Sequence, residues 1–436
     1  MGQPATTAHL IPALLRPGAT PQVLALAAYR FPHGDAMSNR LLQLARSATP
    51  PGGVTLVVND WPDDGSRPAV APDLPPDVRL ITLPRRRIGG GVLGRWLHRR
   101  IRPLRVLAAL RRAGVRPSGL AGVYLPLGLW DLLTWAVLRA AVRCPVTVDV
   151  LERHDRAQFP RGWRTPYFLR HRWAFALVGR LADRVIAISE ALERHFVGQG
   201  RQTLVVPPQV DCASYDDPAP PSLDEGLRLL YAGSAGAKDQ LAVVLEAIRG
   251  LAPADRARVR LVIAGVSREQ AGNLSDLDEA RSADLDDQVC FLGWVPRERV
   301  LAELGRAHFS VLVRPPVGYA QAGFPSKVPE SLAAGCPVLL NHTSDLRRYI
   351  VDGREGIVLD GSGADDVRRG LERALLLDDP GWAAMSRAAR ERAHCFDYRA
   401  WRPVVSDFVT GAGRGSGTGS PARPASSAEV SRRSGG

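Results

Sequence analysis

Gly323-Phe324-Pro325-Ser326-Lys327-Val328-Pro329-Glu330-Ser331-Leu332-Ala333-Ala334-Gly335-Cys336-Pro337-Val338-Leu339-Leu340 is the stretch from which the fold is read. Ser326 is placed to cap a helix, and Pro329 falls in its first turn, where backbone N–H groups lack intrahelical partners and a missing donor costs little. Gly335 supplies the left-handed residue at the far end, and Pro337 forbids continuation. Val338-Leu339-Leu340 is apolar enough for a strand buried on both faces. Loop, helix, stop and buried strand in this order belong to an α/β sheet, with the loop before Ser326 opening at one end of it. There a helix start, the Lys327 ammonium and the Glu330 carboxylate fall within one turn, which suits a ligand carrying both phosphates and hydroxyls. The plainer alternative is that Glu330 only complements the helix dipole, Ser326 only caps and Lys327 is only solvated.

The same alternation extends in both directions. Towards the N-terminus, Leu227–Ala232, Val259–Gly265, Val289–Gly293 and Phe309–Val313 read as apolar strands separated by helical spacing, with Gln240–Ile248 the clearest helix. Further back, Val23–Ala28, Val54–Val58, Val78–Leu83, Leu120–Leu125, Pro145–Val150, Arg184–Ser189 and Leu204–Val206 form a first set of strands. Ser38 is a plausible cap for a helix over Asn39–Arg46, and Ser189 for the helix after it. The apolar run Leu125–Val142 holds Asp131 and Arg139 and is shorter than a membrane span needs, so a packed helix is expected.

At 436 residues the chain is too long for one core. Two doubly wound α/β domains facing a cleft are expected: residues 21–215 and 227–395, joined by a Pro-, Ser- and Asp-rich linker at 216–226. A helix over 396–410 follows, and residues 1–20 and 411–436 are expected to be disordered.

Composition excludes some classes. Hydrophobic residues make up 45% and charged ones 23%, which is ordinary for a globular protein. The five cysteines are scattered singly with no C-x-x-C spacing, so neither a disulfide framework nor a zinc site is indicated, and most are expected buried in a reducing cytosol. No secretory signal pattern is visible at the start of the sequence, so a protein kept inside the cell is expected. The net charge of +13 is almost entirely arginine, with Lys238 and Lys327 the only lysines. Two compact ammonium groups in so arginine-rich a chain mark places where a point charge matters. The segment Arg95–Arg105 mixes arginines with Trp96, Leu97, Ile101 and Leu104. It is expected either to lie on an anionic membrane surface or to be a solvated helix face broken at Pro103. Asp149, Glu152 and His154 follow a strand, at the rim where open α/β sheets bind ligands, and a polar loop paired to nearby arginines is the alternative.

In this order the motifs resemble the retaining glycosyltransferases of the GT-B fold, the large family with an E-x(7)-E signature (glycosyl transferases group 1). Phe31–Arg40, containing Gly34, is similar to the family's N-terminal glycine loop. Tyr231-Ala232-Gly233-Ser234 with Lys238-Asp239 is similar to its pyrophosphate loop, and Gly323–Val338 to its most specific segment, with Glu330 as the second Glu. The first Glu, with seven residues between, would stand at position 322, where this chain has Ala322. The family's frequent His after the fourth strand is also missing from Tyr124-Leu125-Pro126-Leu127.

The resemblance implies transfer of a sugar from a nucleoside diphosphate sugar to an acceptor hydroxyl with retention, in glycan, cell-envelope or glycoconjugate synthesis, without metal or other cofactor. Gly34, Gly233, Ser234, Lys238, Gly265, Phe324, Ser326, Lys327 and Glu330 would bind the donor. Asp149, Glu152 and His154 would meet the acceptor, and Lys238, Lys327, Glu152 and His154 would serve catalysis. The helix over 396–410 would cross back to the first domain. The partners implied are the donor and a hydroxyl acceptor, with no nucleic acid; the basic segment Arg95–Arg105 leans toward a lipid-linked acceptor and, with no signal pattern visible, toward a cytoplasmic location peripheral at the inner face of the membrane. The rivals are a sugar-nucleotide isomerase or hydrolase of the same fold, and a non-catalytic sugar-nucleotide or polyanion binder suggested by Ala322 and the arginines.

Overall fold

The computed structural model describes residues 21–27, 31–32, 35–59, 74–83, 92–159, 161–220, 222–233, 239–272, 285 and 287–412. In the first half the elements run β1 (Gln22–Ala27), α1 (Ala36–Ala48), β2 (Val54–Asn59), β3 (Val78–Thr82), α2 (Val92–Arg112), β4 (Gly122–Pro126), α3 (Leu129–Ala141), β5 (Val146–Val150), α4 (Pro166–Leu181), β6 (Arg184–Ala187), α5 (Glu190–Val197) and β7 (Gln202–Val205). These strands form one parallel sheet in the order β3-β2-β1-β4-β5-β6-β7.

The second half follows with β8 (Leu227–Ala232), α6 (Leu241–Arg249), α7 (Pro253–Ala257), β9 (Val259–Ala264), α8 (Arg268–Gly272), β10 (Val289–Gly293), α9 (Arg297–Leu304), β11 (Phe309–Leu312), α10 (Gly318–Ala322), α11 (Lys327–Ala333), β12 (Val338–Asn341) and β13 (Gly356–Leu359). Its parallel sheet has the order β10-β9-β8-β11-β12-β13. The chain closes with α12 (Ala364–Leu375), α13 (Asp379–Ala393) and α14 (Tyr398–Thr410).

Both sheets are Rossmann-like, because strand order reverses at the middle: β1 lies between β2 and β4, and β8 between β9 and β11. Such reversals open a crevice at the carboxyl ends of the strands. The central strands β1, β4, β5, β8 and β11 are largely apolar because both of their faces are covered, whereas the edge strands β3 and β10 keep exposed positions. In β1, Leu24 and Leu26 enter one core with Leu56 and Val123, while Val23, Ala25 and Ala27 enter another with α1 and α14.

The two domains share an apolar seam. Val148 and Val150 of β5 and Val185 and Ala187 of β6 pack in one cluster with Leu312, Ala322, Phe324, Val328, Leu340 and Phe396. Helix α14 crosses to the first domain, where Trp401, Val405 and Val409 pack with Leu41, Leu44 and Ala48 of α1. Its N-terminal Tyr398 carbonyl accepts from the Ser47 hydroxyl at 3.2 Å.

Local details depart from expectation. The cap of α1 is Asp35, whose carboxylate accepts from the Ser38 N–H at 2.7 Å, so Ser38 lies inside the helix. Helix α2 continues past Pro103 instead of ending there. The run Leu125–Val142 divides between the end of β4 and α3. Only Cys144 and Cys336 are buried; Cys212 and Cys395 are half-buried and Cys290 is exposed. Residues 1–20, 413–436 and the segment around Trp61–Gly65 lie outside the described residues. Among the described residues no helix is long and apolar enough to cross a membrane.

Candidate functional site

At the reversal point of the second sheet, Gly233 ends β8 with φ +147°, a conformation that favours glycine. Beside it Gly265 ends β9 with φ +106°, and a Cβ there would come within 2.6 Å of the Gly233 carbonyl oxygen. The space that Gly233 leaves open is filled from across the crevice by Lys327: a Cβ on Gly233 would come 2.4 Å from the Lys327 Nζ. The ammonium meets Asp239 Oδ2 at 2.5 Å and lies 4.7 Å from the centroid of the Tyr231 ring. Arg314, two residues past the end of β11, donates from Nε to the other Asp239 oxygen at 2.9 Å. Its backbone is clamped by Asn341 at the end of β12, whose amide accepts from Arg314 N–H and donates to Arg314 C=O.

Two cations thus share one carboxylate at the mouth of the crevice. Burial alone would raise the Asp239 carboxyl, but Lys327 and Arg314 outweigh it and hold Asp239 below the ordinary carboxylate range. For Lys327 the balance falls the other way: burial pulls the ammonium below its ordinary value, and the attraction of Asp239 only partly offsets it. The group is therefore ready to gain from any further negative charge brought to it.

Glu330 lies one turn along α11. Its Oε1 accepts from Asn39 Nδ2 of α1 at 3.0 Å, a contact from the first domain, and is gripped by Arg297 at the start of α9. Arg297 in turn donates to the Tyr215 hydroxyl at 3.0 Å. Burial would lower the Arg297 guanidinium, but Glu330 and Tyr215 raise it on balance. Both contacts fall on Oε1, so one oxygen is held in place while the other keeps its acceptor lone pairs among the described residues.

Lys327, Gly233, Gly265 and Glu330 are therefore brought together, in altered roles. The Gly233 N–H is spent on Ala264 C=O and the Gly265 N–H on Gly293 C=O, so these glycines make room and do not donate. Ser326 precedes α11 but makes no capping bond through its side chain, and α11 is only seven residues long, so Lys327 rather than a helix dipole carries the positive charge. The Phe324 side chain is buried against Tyr349 and Phe396 in the domain seam. Gly34, Ser234 and Lys238 lie outside the described residues.

On the first-domain side, Asp149 is 1% exposed and saturated: Arg40 holds both oxygens at 2.8 and 3.0 Å, and the Tyr124 hydroxyl donates at 2.7 Å. It pins α1 to the sheet and presents nothing to an acceptor. Glu152 and His154 sit on the loop after β5, with His154 Nδ1 3.5 Å from Glu152 Oε2 and its Nε2 3.3 Å from the Tyr167 hydroxyl. That loop borders the crevice, since the Leu151 carbonyl lies 3.8 Å from where a Cβ on Gly323 would project. Ala322 is 6% exposed among Leu312, Phe324 and Val328, and its carbonyl accepts from the Ser189 hydroxyl at 2.6 Å. A cavity of about 640 Å³ opens nearby, lined by Gln321, Asn341, His342, Ser344 and Arg347 among others.

Arg314, Arg297 and Tyr215 were not legible as site residues, and Asn39 was only one residue of the Phe31–Arg40 loop. Arg314 carried a usable signal, a charge just past a buried strand; Arg297 and Tyr215 announce themselves only through partners distant in the chain. Among the described residues no group of three or more His, Cys, Asp or Glu side chains is arranged to hold a metal ion.

Residues 216–392 match the model of the family "Glycosyl transferases group 1". The chain is 32% identical over 249 residues to the D-inositol 3-phosphate glycosyltransferase of Nocardiopsis dassonvillei, covering 53% of this chain and 55% of that protein. It thus spans about half the length of the curated relative it matches. Among solved structures it resembles the sucrose-phosphate synthase of Thermosynechococcus elongatus, with a TM-score of 0.64 and 17% identity over 89% of this chain and 98% of the other. Anabaena HepE, solved in complex with UDP and glucose, matches with a TM-score of 0.62 and 16% identity over 89% and 99%. At such identities these two likenesses speak for the fold, which is the GT-B arrangement of two Rossmann-like domains.

Proposed function

We propose that the chain is a glycosyltransferase that moves a sugar from a nucleoside diphosphate sugar to an acceptor hydroxyl, with retention of configuration at the anomeric carbon. The observation that carries the reading is the Lys327 ammonium, seated in the space left by Gly233 at the sheet's reversal point and depressed in its proton affinity. A diphosphate arriving there restores that affinity and is bound by it. The group 1 family match over the domain that holds Lys327 supports the same reading.

In the proposed reaction the acceptor oxygen bonds to the anomeric carbon as the bond from that carbon to the β-phosphate oxygen breaks. The bonding pair leaves with the diphosphate, and the acceptor proton passes to the departing phosphate oxygen, giving the glycoside and a nucleoside diphosphate. Negative charge therefore grows on the leaving group, where Lys327 and Arg314 face it, with Lys238, next to Asp239 in sequence, as the second ammonium. Fixed charges of this kind are already oriented when the bond breaks and cost no reorganisation, and the reading needs no metal ion. Glu330, its Oε1 held by Asn39 and Arg297, offers Oε2 to a vicinal diol, as the nucleotide ribose provides. Glu152 and His154, at the edge of the crevice on the other domain, form the acceptor side.

The test is donor turnover by Lys327→Ala against the wild type, with product analysis in the presence and absence of acceptor alcohols. Removing one such electrostatic donor is expected to cost about 10²–10³ in rate, with thermal unfolding showing the variant folded. Turnover indifferent to Lys327 overturns the reading. Nucleoside diphosphate release that never yields a glycoside would instead point to the hydrolase of the same fold.

A further inference from the structure

Helix α4 departs from the amphipathic pattern of the other helices. It buries Phe168, Ala174, Phe175, Val178 and Gly179 against the first-domain sheet, yet its outer side is also apolar. Leu169 and Trp173, one turn apart, are 38% and 64% exposed, and Leu181 at the helix end is 38% exposed. Trp163, just before the helix and 44% exposed, has the Arg172 guanidinium stacked over its ring at 4.6 Å. Contiguous apolar exposure of this kind marks a surface that meets a partner.

Charge identifies the partner. From Arg156 to Ala182 the chain carries six arginines, Arg156, Arg161, Arg164, Arg170, Arg172 and Arg180, and no Asp or Glu. A second copy of the same face would set arginine against arginine, so self-association through it is opposed. A bilayer with anionic headgroups satisfies both halves of the pattern: tryptophan and tyrosine settle at the headgroup boundary, and arginine guanidinium groups pair with lipid phosphates while their stems lie along the apolar layer. Helix α3 packs between α4 and α2, and Leu104 of α2 is 63% exposed on that layer.

We propose that α4 and the segment leading into it dock the protein on an anionic lipid bilayer, with Trp163, Leu169 and Trp173 inserted at the headgroup level. The docking face and the edge of the crevice are two sides of one segment. His154 packs its ring 5.5 Å from that of Tyr167 and 4.3 Å from that of His171, on the helix that would meet the membrane. The docking surface itself does not depend on the reaction proposed above.

The experiment is co-sedimentation of the full chain with vesicles of phosphatidylglycerol in phosphatidylcholine and with phosphatidylcholine alone. Wild type is expected on the anionic vesicles and not on the neutral ones, with binding weakened by added salt. The pair Arg170→Glu and Arg172→Glu is expected to lower partitioning by at least about 25-fold, since each arginine near such a surface contributes about fivefold. The triple variant Trp163→Ser, Leu169→Ser, Trp173→Ser is expected to lose binding while circular dichroism and a cooperative thermal transition show it folded, and Trp173→Ser alone, at the most exposed of the three positions, is expected to weaken binding with unfolding close to wild type. Absence of wild-type binding, or binding unchanged in these variants, overturns the proposal. So does loss of binding only in Leu104→Ser, which would move the contact to α2. A dimer that the triple variant dissolves, or a preference for duplex DNA over vesicles, overturns it too.

Discussion

Replacing Gly233 by alanine separates two effects that meet at one atom. The first is backbone strain: at φ +147° an L side chain is held outside its allowed regions, which costs about 1–3 kcal/mol of stability. The second is displacement, since the new methyl would stand 2.4 Å from Lys327 Nζ and 2.6 Å from its Cε. Ordinary contact needs about 3.5–4 Å, so the ammonium must retreat by roughly 1 Å or more, away from the ring of Tyr231 and the carboxylate of Asp239. A catalytic group misplaced by about 1 Å costs on the order of 10² in rate. Gly233→Ala is therefore expected to lower the urea midpoint by the equivalent of about 1–3 kcal/mol and donor turnover about 10²-fold. The discriminating assay is the double-mutant cycle. In a Lys327→Ala background the methyl has nothing to push, so adding Gly233→Ala should cost little further turnover while the stability loss persists. Turnover losses that simply add, or a Gly233→Ala variant with full turnover, would refute the view that this glycine exists to seat the ammonium.

Two further outcomes follow from the same geometry. Asp239→Asn leaves Lys327 and Arg314 facing each other without their shared carboxylate and is expected to cost about 3 kcal/mol in urea unfolding, the lower end for a buried pair because Lys327 keeps 21% exposure. The loss should depend on pH. Asp239 is held below its unfolded value, so its contribution is fully present above about pH 4 and disappears as pH falls through the depressed folded value. Wild type and variant should therefore converge in acid, and a gap independent of pH would contradict the assignment. Ala322→Glu, which writes in the family's first glutamate, is expected to destabilise by about 3 kcal/mol or more, because the carboxylate would enter the seam among Leu312, Phe324 and Val328. A variant of unchanged stability and faster turnover would show that position 322 reaches the donor after all.

The strands and most helices were readable in advance because their causes are local. Gly335 adopts φ +69° where the helix stop was expected, and Ser189 accepts from the Leu192 N–H as the cap of α5. Val338–Asn341 is a buried strand because four apolar or amide side chains between a proline and a polar loop have few other uses. At α1 the expected cap Ser38 gives way to Asp35, whose carboxylate accepts from the Ser38 N–H, so that Ser38 lies buried inside the helix.

The types of side chain at the site, an isolated lysine and a glutamate one turn apart after a loop, were determined by the sequence alone. Their roles were decided by the tertiary structure. Asp149 and Glu330 look alike in the sequence, each an acid near a strand or loop at the rim of a sheet. One is closed by Arg40 from 109 residues away, and the other is held by Arg297 and Asn39 with an oxygen to spare. Lys327 owes its depressed proton affinity to burial and its position to Gly233 and to Asp239, 88 residues earlier. Electrostatic partners act through space over a few ångströms, whereas periodicity and caps report only on neighbours along the chain. A sequence therefore names the charges, and only folding decides which of them are left to meet a ligand.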